Sequence, residues 1–162
     1  LKTAFLALGS NLGDRETNLR AAVSRLESDE IRVVRRSSLY ETAPQEILDQ
    51  PWFLNAVVEI ETRLFPLQLL ARVREIERQM GRRRVTPKGP RNIDIDILFY
   101  GRSVIATAEL EVPHPRLAQR RFVLEPLAEI APDFRHPLTG QTASEMLAAL
   151  EPQGVRRLAV SL

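Results

Sequence analysis

Ile93-Asp94-Ile95-Asp96-Ile97-Leu98-Phe99-Tyr100 alternates apolar and acidic residues and then turns wholly apolar. A period of two predicts a strand that buries Ile93, Ile95 and Ile97 on one face and presents Asp94 and Asp96 on the other. Just upstream, Arg82 to Arg91 contains Pro87, Gly89 and Pro90 and reads as a loop. Before that, Pro66 opens a helix whose buried side is expected at Leu67, Leu70, Val73, Ile76, Glu77 and Met80, with Gly81 at its C-terminal cap. Phe53 to Thr62 and Ile31 to about Thr42 read as strands, separated by a polar loop with two prolines over 43–51. Residues 15 to 28 show helical spacing behind Asp14 or Thr17 as cap, and Lys2 to Leu8 reads as a central strand ending in the turn cluster Gly9-Ser10-Asn11-Leu12-Gly13-Asp14.

The resulting order, β-α-β-β-α-β, is the ferredoxin-like pattern, an α+β fold whose antiparallel sheet carries both helices on one face. The other face is expected to be free for a ligand. Beyond this unit, Val112-Pro113-His114-Pro115 predicts a rigid turn. C-terminal helical additions are expected at Leu124 to Ile130 and Thr142 to Leu150, and the tail is expected to add a strand.

The 162 residues, 44% apolar and 27% charged, fit one globular domain over 1–162. Cysteine is absent, so a disulfide framework, a thiolate metal site and a cysteine nucleophile are excluded. The first apolar run, Ala4 to Leu8, is too short to span a membrane, and a cytoplasmic protein is expected. The net charge is only +2, but it is unevenly laid out. Arg78 to Ile93 holds six basic residues and no acid, which leaves 17 basic against 21 acidic residues elsewhere, a net −4. An anionic ligand would be drawn to that one window.

The acid pair adjoins it. Two carboxylates on one strand face, about 7 Å apart at Cα, repel each other unless a cation intervenes, and Mg²⁺ suits them because it takes one or two carboxylates plus water and phosphate oxygens. A bare Asp-x-Asp also fits the solvated face of an amphipathic strand. With Arg82, Arg83, Arg84, Lys88 and Arg91 leading into the strand, the combination favours a metal-bound nucleoside triphosphate, with guanidinium groups to neutralise charge in transfer and a loop able to close over it. The chain has neither a P-loop nor a Rossmann glycine fingerprint. Phe53 and Asn55 share a strand face, where a heterocycle can stack on one and be read at its edge by the other, although a strand Phe taken alone equally fits the core. His114, held rigidly between two prolines, could donate to a phosphate, although taken alone it also fits a plain turn residue.

Leu8-Gly9-Ser10-Asn11-Leu12-Gly13, Gln50-Pro51-Trp52-Phe53-Leu54-Asn55-Ala56, Gly81-Arg82-Arg83-Arg84, Gly89-Pro90-Arg91-Asn92-Ile93-Asp94-Ile95-Asp96-Ile97-Leu98 and Val112-Pro113-His114-Pro115 together resemble the 6-hydroxymethyl-7,8-dihydropterin pyrophosphokinase family of folate biosynthesis. The resemblance implies transfer of pyrophosphate from ATP to the pterin hydroxymethyl oxygen, with release of AMP. It implies that Asp94 and Asp96 hold two Mg²⁺ ions, that Arg82 and Arg91 act on the transition state, and that Arg84 and Lys88 belong to the nucleotide loop. By the same resemblance His114 and Arg120 lie at the triphosphate with Glu77 beside it, while Thr42, Phe53, Asn55 and Phe122 bind the pterin. Pro87-Lys88, Arg74 and Glu109-Leu110-Glu111 depart from the family's usual residues.

ATP and the pterin are the expected partners of a monomer, with no nucleic acid or membrane. An RNA-binding or ligand-sensing module on the same fold is the alternative of another class, but the stacked-aromatic signature of RNA readers is missing. A different Mg-nucleotide transferase would share the acids without the Phe53, Asn55 and Phe122 set.

Overall fold

The protein is described by a computed structural model that covers residues 1–44, 49–82 and 89–162. Among the described residues, six strands make one sheet: β1 (Lys2–Ser10), β2 (Ile31–Arg36), β3 (Ser38–Thr42), β4 (Phe53–Thr62), β5 (Asp94–Tyr100) and, after a small hairpin of β6 (Ile105–Ala106) and β7 (Glu111–Val112), β8 (Val155–Ser161). The order is β5-β1-β4-β3-β8, with β2 also paired to β4, and the pairings are antiparallel. The ferredoxin-like core expected from the element order is therefore present, and the tail does add an edge strand.

Helices α1 (Arg15–Leu26) and α2 (Pro66–Gln79) cover one face. Asp14 caps α1 by accepting from the Thr17 N–H at 3.1 Å, and Leu19, Ala22, Val23 and Leu26 are buried at the predicted spacing. Pro66 opens α2, and the Gln68 side-chain Oε1 reaches back to accept from the Phe65 N–H at 2.8 Å. The buried stripe of α2 is Leu69, Val73, Ile76 and Glu77, whereas Leu67, expected inside, is 53% exposed. Counting back from Val73 and Ile76 by four and seven residues reaches Leu69, and Leu67 lies off that line. These side chains pack on Leu6, Leu8, Ile93, Ile95 and Ile97, the alternating face predicted for β5.

Two expectations are corrected. The strand expected over Ile31 to Thr42 is two strands broken at Ser37, a buried residue whose hydroxyl accepts from the Val57 N–H at 2.9 Å while its own N–H donates to the Val57 carbonyl at 3.0 Å. The side chain stands in for a backbone acceptor, so the register against β4 shifts there. Nor is the second sheet face free along its length. Helices α3 (Arg121–Ile130) and α4 (Ala143–Ala148) pack Val123, Leu124, Leu127, Ala143 and Met146 against Phe5, Val57, Leu98 and Phe99. Phe134 joins this second core, its ring centroid 4.8 Å from those of both Phe5 and Phe99.

Helix α3 also starts three residues earlier than expected, because the Val123 and Leu124 N–H groups both bond the Arg120 carbonyl at 3.0 Å. That makes Arg120 the capping residue and puts Phe122 in the first turn. What remains open on the second face is the end of the sheet near Ser10, Phe53 and Asp94.

Candidate active site

At that end β4, β1 and β5 lie side by side with Asn55 opposite Gly9 and Gly9 opposite Asp94, while Ala7 pairs with Asp96. Small residues on the middle strand thus separate an amide on one side from two carboxylates on the other. They floor a cavity of about 410 Å³. Thr42, Phe53 and Asn55 line one wall, Arg91, Asp94 and Asp96 the other, and His114, Arg120 and Phe122 line the cavity as well. The structure therefore brings these expected site residues together.

Asn55 and Thr42 are buried, and the Asn55 amide donates to the Thr42 hydroxyl at 2.6 Å. Gly9 makes this arrangement possible. A Cβ there would stand 2.9 Å from the Asn55 Oδ1 and 3.8 Å from the Phe53 ring. A glycine inside a strand marks close approach by a neighbour or ligand, and Gly9, expected in a turn, lies inside β1. The guanidinium of Arg91 lies over the Phe53 ring at 5.0 Å from Cζ to the centroid, and that of Arg120 over Phe122 at 5.4 Å. Each expected stacking aromatic is thereby tied to an expected phosphate ligand.

On the acid side, the cap of α2 delivers Arg82. Gly81, at φ 76°, donates to the Arg78 carbonyl and Arg82 to the Glu77 carbonyl, the paired bonds of a left-handed helix end. The chain leaves α2 turned toward β5, and Arg82 binds Asp94 Oδ1 at 3.0 Å. Arg91 reaches the other oxygen at 3.9 Å. The Nε–H groups of both arginines are buried with no partner among the described residues. Buried donors are seldom left unpaired, and two such groups flanking one carboxylate suit an anionic ligand.

Asp96 is largely enclosed. Burial, and next the charge of Asp94, push its carboxyl up to about 6, against the pull of Arg74 and Arg120. A carboxylate this short of positive charge, beside a second one on the same strand face, fits the donor set of Mg²⁺, which takes one or two protein carboxylates and completes its shell with water and phosphate. His114 Nδ1 accepts from the Arg116 N–H at 3.2 Å, which in the neutral ring puts the proton on Nε2. Its own backbone N–H bonds the Leu98 carbonyl at 3.0 Å, docking the turn, with its cis Val112–Pro113 peptide, onto β5.

Glu77, expected beside the triphosphate, spends its carboxylate on neighbouring groups of the fold. It is 3% exposed and does not line the cavity. Its Oε2 accepts from the Ile95 N–H at 2.8 Å and its Oε1 from Arg74 at 2.9 Å, while Arg74 also donates to the Ile95 carbonyl at 3.1 Å. Because β5 is an edge strand, both outward backbone groups of Ile95 lack a strand partner, and this helix pair supplies one. The residue between the two aspartates is thus clamped. Arg74, marked from sequence only as a departure, belongs to that clamp. Arg84 and Lys88, and with them Pro87 and the expected closure of the loop, lie outside the described residues.

Residues 5–132 match the 7,8-dihydro-6-hydroxymethylpterin-pyrophosphokinase (HPPK) family. The chain belongs to this family. A 2-amino-4-hydroxy-6-hydroxymethyldihydropteridine pyrophosphokinase of Methylorubrum extorquens is 47% identical over 156 residues, covering 96% of this chain and 98% of its own. Its Bacillus subtilis counterpart is 46% identical over 154 residues, 94% of this chain and 88% of that one. A folic acid synthesis protein of Schizosaccharomyces pombe is 46% identical over 96% of this chain, but the chain spans only 21% of that longer relative's length. Among solved structures, the HPPK-DHPS protein of Plasmodium falciparum superposes with a TM-score of 0.73 at 18% identity, over 91% of this chain and 42% of that one, which speaks for the fold. The HPPK segments quoted from the sequence all fall within the matched span.

Proposed function

We propose that this HPPK-family chain is an enzyme of folate biosynthesis that transfers the pyrophosphoryl group of ATP to the hydroxymethyl oxygen of 6-hydroxymethyl-7,8-dihydropterin. The carrying observation is the arrangement across Gly9: an amide and aromatic wall faces an acid and arginine wall in one cavity. Asn55, held by Thr42, reads the edge of the pterin ring, which stacks with Phe53 and Phe122. Arg82 and Arg91 stand beside the triphosphate and neutralise charge as it develops, and His114 and Arg120 bind it from the β5 side. Arg84 and Lys88 complete the nucleotide site in this reading, and Glu77 acts on it by positioning.

The pterin hydroxymethyl oxygen bonds to the β-phosphorus of ATP as the bond from that phosphorus to the α,β-bridging oxygen breaks. AMP leaves, and the hydroxyl proton passes to solvent. Mg²⁺ held by Asp94 and Asp96, two ions in this proposal, supplies charge neutralisation and alignment of the triphosphate when bound. The chain's own contribution is positioning and fixed charge, which suffice for phosphoryl-type transfer. The enzyme is read as one domain over 1–162, acting as a monomer in the cytoplasm. Among the described residues no helix is long and apolar enough to cross a membrane.

Incubation with Mg²⁺, ATP and the pterin should yield AMP and the pterin diphosphate in equal amounts, resolved by ion-exchange chromatography. ADP as the nucleotide product would refute pyrophosphoryl transfer.

A further inference from the structure

Asn11 follows β1 and is 1% exposed, yet it does not line the cavity. Its polar groups are spent on two separate segments. The Asn11 N–H donates to the Arg91 carbonyl at 3.0 Å and its Oδ1 accepts from the Arg91 N–H at 2.8 Å, so the peptide groups on both sides of Arg91 are gripped as by a strand partner. On its other side Nδ2 donates to Gln50 Oε1 at 2.8 Å and to the Pro51 carbonyl at 3.0 Å. The amide's acceptor and both donor hydrogens are therefore engaged.

Those two segments are the two walls of the site. Arg91 reaches Asp94 and covers Phe53, while Gln50 lines the cavity and Pro51 leads directly into β4 with Phe53 and Asn55. The geometry points to Asn11 as a positioning residue that locks the phosphate wall and the heterocycle wall into one register, so that filling either subsite favours filling the other. Ordering Arg91 around a triphosphate fixes Asn11, and Asn11 in turn holds Gln50 and Pro51 where the heterocycle enters. A shared buried brace of this kind is a physical route for coupling free energy between two ligands. Asparagine is specific to the task. Aspartate retains the acceptor for Arg91 but sets a carboxylate against two oxygens, and alanine releases both walls.

The inference rests on the two-substrate reading above. Titration calorimetry on the full chain measures the dissociation constant of 6-hydroxymethyl-7,8-dihydropterin with and without saturating Mg²⁺ and α,β-methylene-ATP, which binds without transfer. The ratio of the two constants is the coupling. The parent should show a ratio well above one, and Asn11→Asp and Asn11→Ala should lower it about tenfold, toward one. Gln50→Met leaves Asn11 and Arg91 in place but cuts one leg of the brace. It should lower the ratio as well, and it carries the test if an Asn11 variant does not fold. A role in stability alone would weaken both constants together and preserve the ratio. A parent ratio of one, or a ratio unchanged in Asn11→Asp and Gln50→Met, overturns the inference. Failure of the parent to bind pterin under either condition would instead overturn the functional reading.

Discussion

Replacing Asp96 by Asn is expected to stabilise the metal-free protein while abolishing its activity. Burial and the Asp94 charge raise the Asp96 carboxyl from 3.8 to about 6. The native state then keeps this proton over a range in which the unfolded chain has already lost it. Because the folded value lies above the unfolded one, ionised Asp96 costs nothing below about pH 4, an increasing amount as pH rises, and its full amount above about pH 6. A difference of about two pH units corresponds to about 3 kcal/mol. Asparagine, nearly the same shape, cannot ionise. In EDTA at pH 7.5, urea unfolding should find Asp96→Asn about 3 kcal/mol more stable than the parent, which is about 6–12 °C in Tm for a chain of this size. At pH 4 the two should coincide. Mg²⁺ with α,β-methylene-ATP should narrow the gap at pH 7.5 by stabilising the parent alone. A variant no more stable than the parent at pH 7.5, or a gap that is the same at pH 4, would refute the claim that the site keeps an uncompensated carboxylate.

Gly9→Ala puts a methyl group 2.9 Å from Asn55 Oδ1, displacing the amide from Thr42, so the KM for the pterin should rise about tenfold with little change in that for ATP; steady-state kinetics on both substrates decide this. Arg74→Met removes one jaw of the Ile95 clamp and strips buried Glu77 of its nearest cation. It should cost about 1–3 kcal/mol in denaturant unfolding and raise the Mg²⁺ concentration needed for half-maximal rate, whereas a change in stability alone would confine Arg74 to folding. Glu129 gathers the Tyr40 hydroxyl at 2.8 Å, the Ser38 N–H at 3.0 Å and Arg157 at 3.2 Å, joining α3 to β3 and β8. Burial first, and Glu129 second, raise the Tyr40 phenol well above its ordinary range. Glu129→Gln should lower the Tyr40 midpoint in an ultraviolet titration and cost about 1–3 kcal/mol of stability.

What could be read ahead of the structure is what short-range periodicity controls. Ile93, Ile95 and Ile97 alternate with Asp94 and Asp96 whatever lies across from them, and Leu19, Val23 and Leu26 mark a helix face unaided. Ser37 could not be read in this way, because nothing in Ile31 to Thr42 marks a break, which exists only because Val57 on another strand offers its backbone to the Ser37 hydroxyl. The docking of α3 and α4 was hidden for a related reason: their apolar residues say that they pack, but not on which face. Glu77 shows the limit of residue-by-residue resemblance. Its position beside the nucleotide site was legible, yet its carboxylate is spent on Ile95 and Arg74, and only the edge position of β5 explains why such a cap is needed. Asn11 and Gly9 stood in a quoted motif, but their work depends on partners about 40 to 80 residues away.

The position of the cavity follows from a taper along one strand. On the face of β1 that looks toward α3, successive side chains are Phe5, Ala7 and Gly9. Phe5 is large enough to meet Phe99 and Phe134, so that end of the sheet closes into a core with α3 and α4 above it. At Ala7 and Gly9 the strand presents almost nothing, while its neighbours present Asn55, Asp94 and Asp96. A helix cannot dock there without burying those polar groups unpaired, which costs more than the small apolar area would return. The same face of one strand thus packs a core at one end and leaves a polar trough at the other. The trough is rigid because Arg74 and Glu77 clamp its outer strand and Asn11 ties its two walls. Fixed dipoles and charges held by two packed cores need little reorganisation when a polyanion arrives, which is the condition under which electrostatic positioning is effective in catalysis.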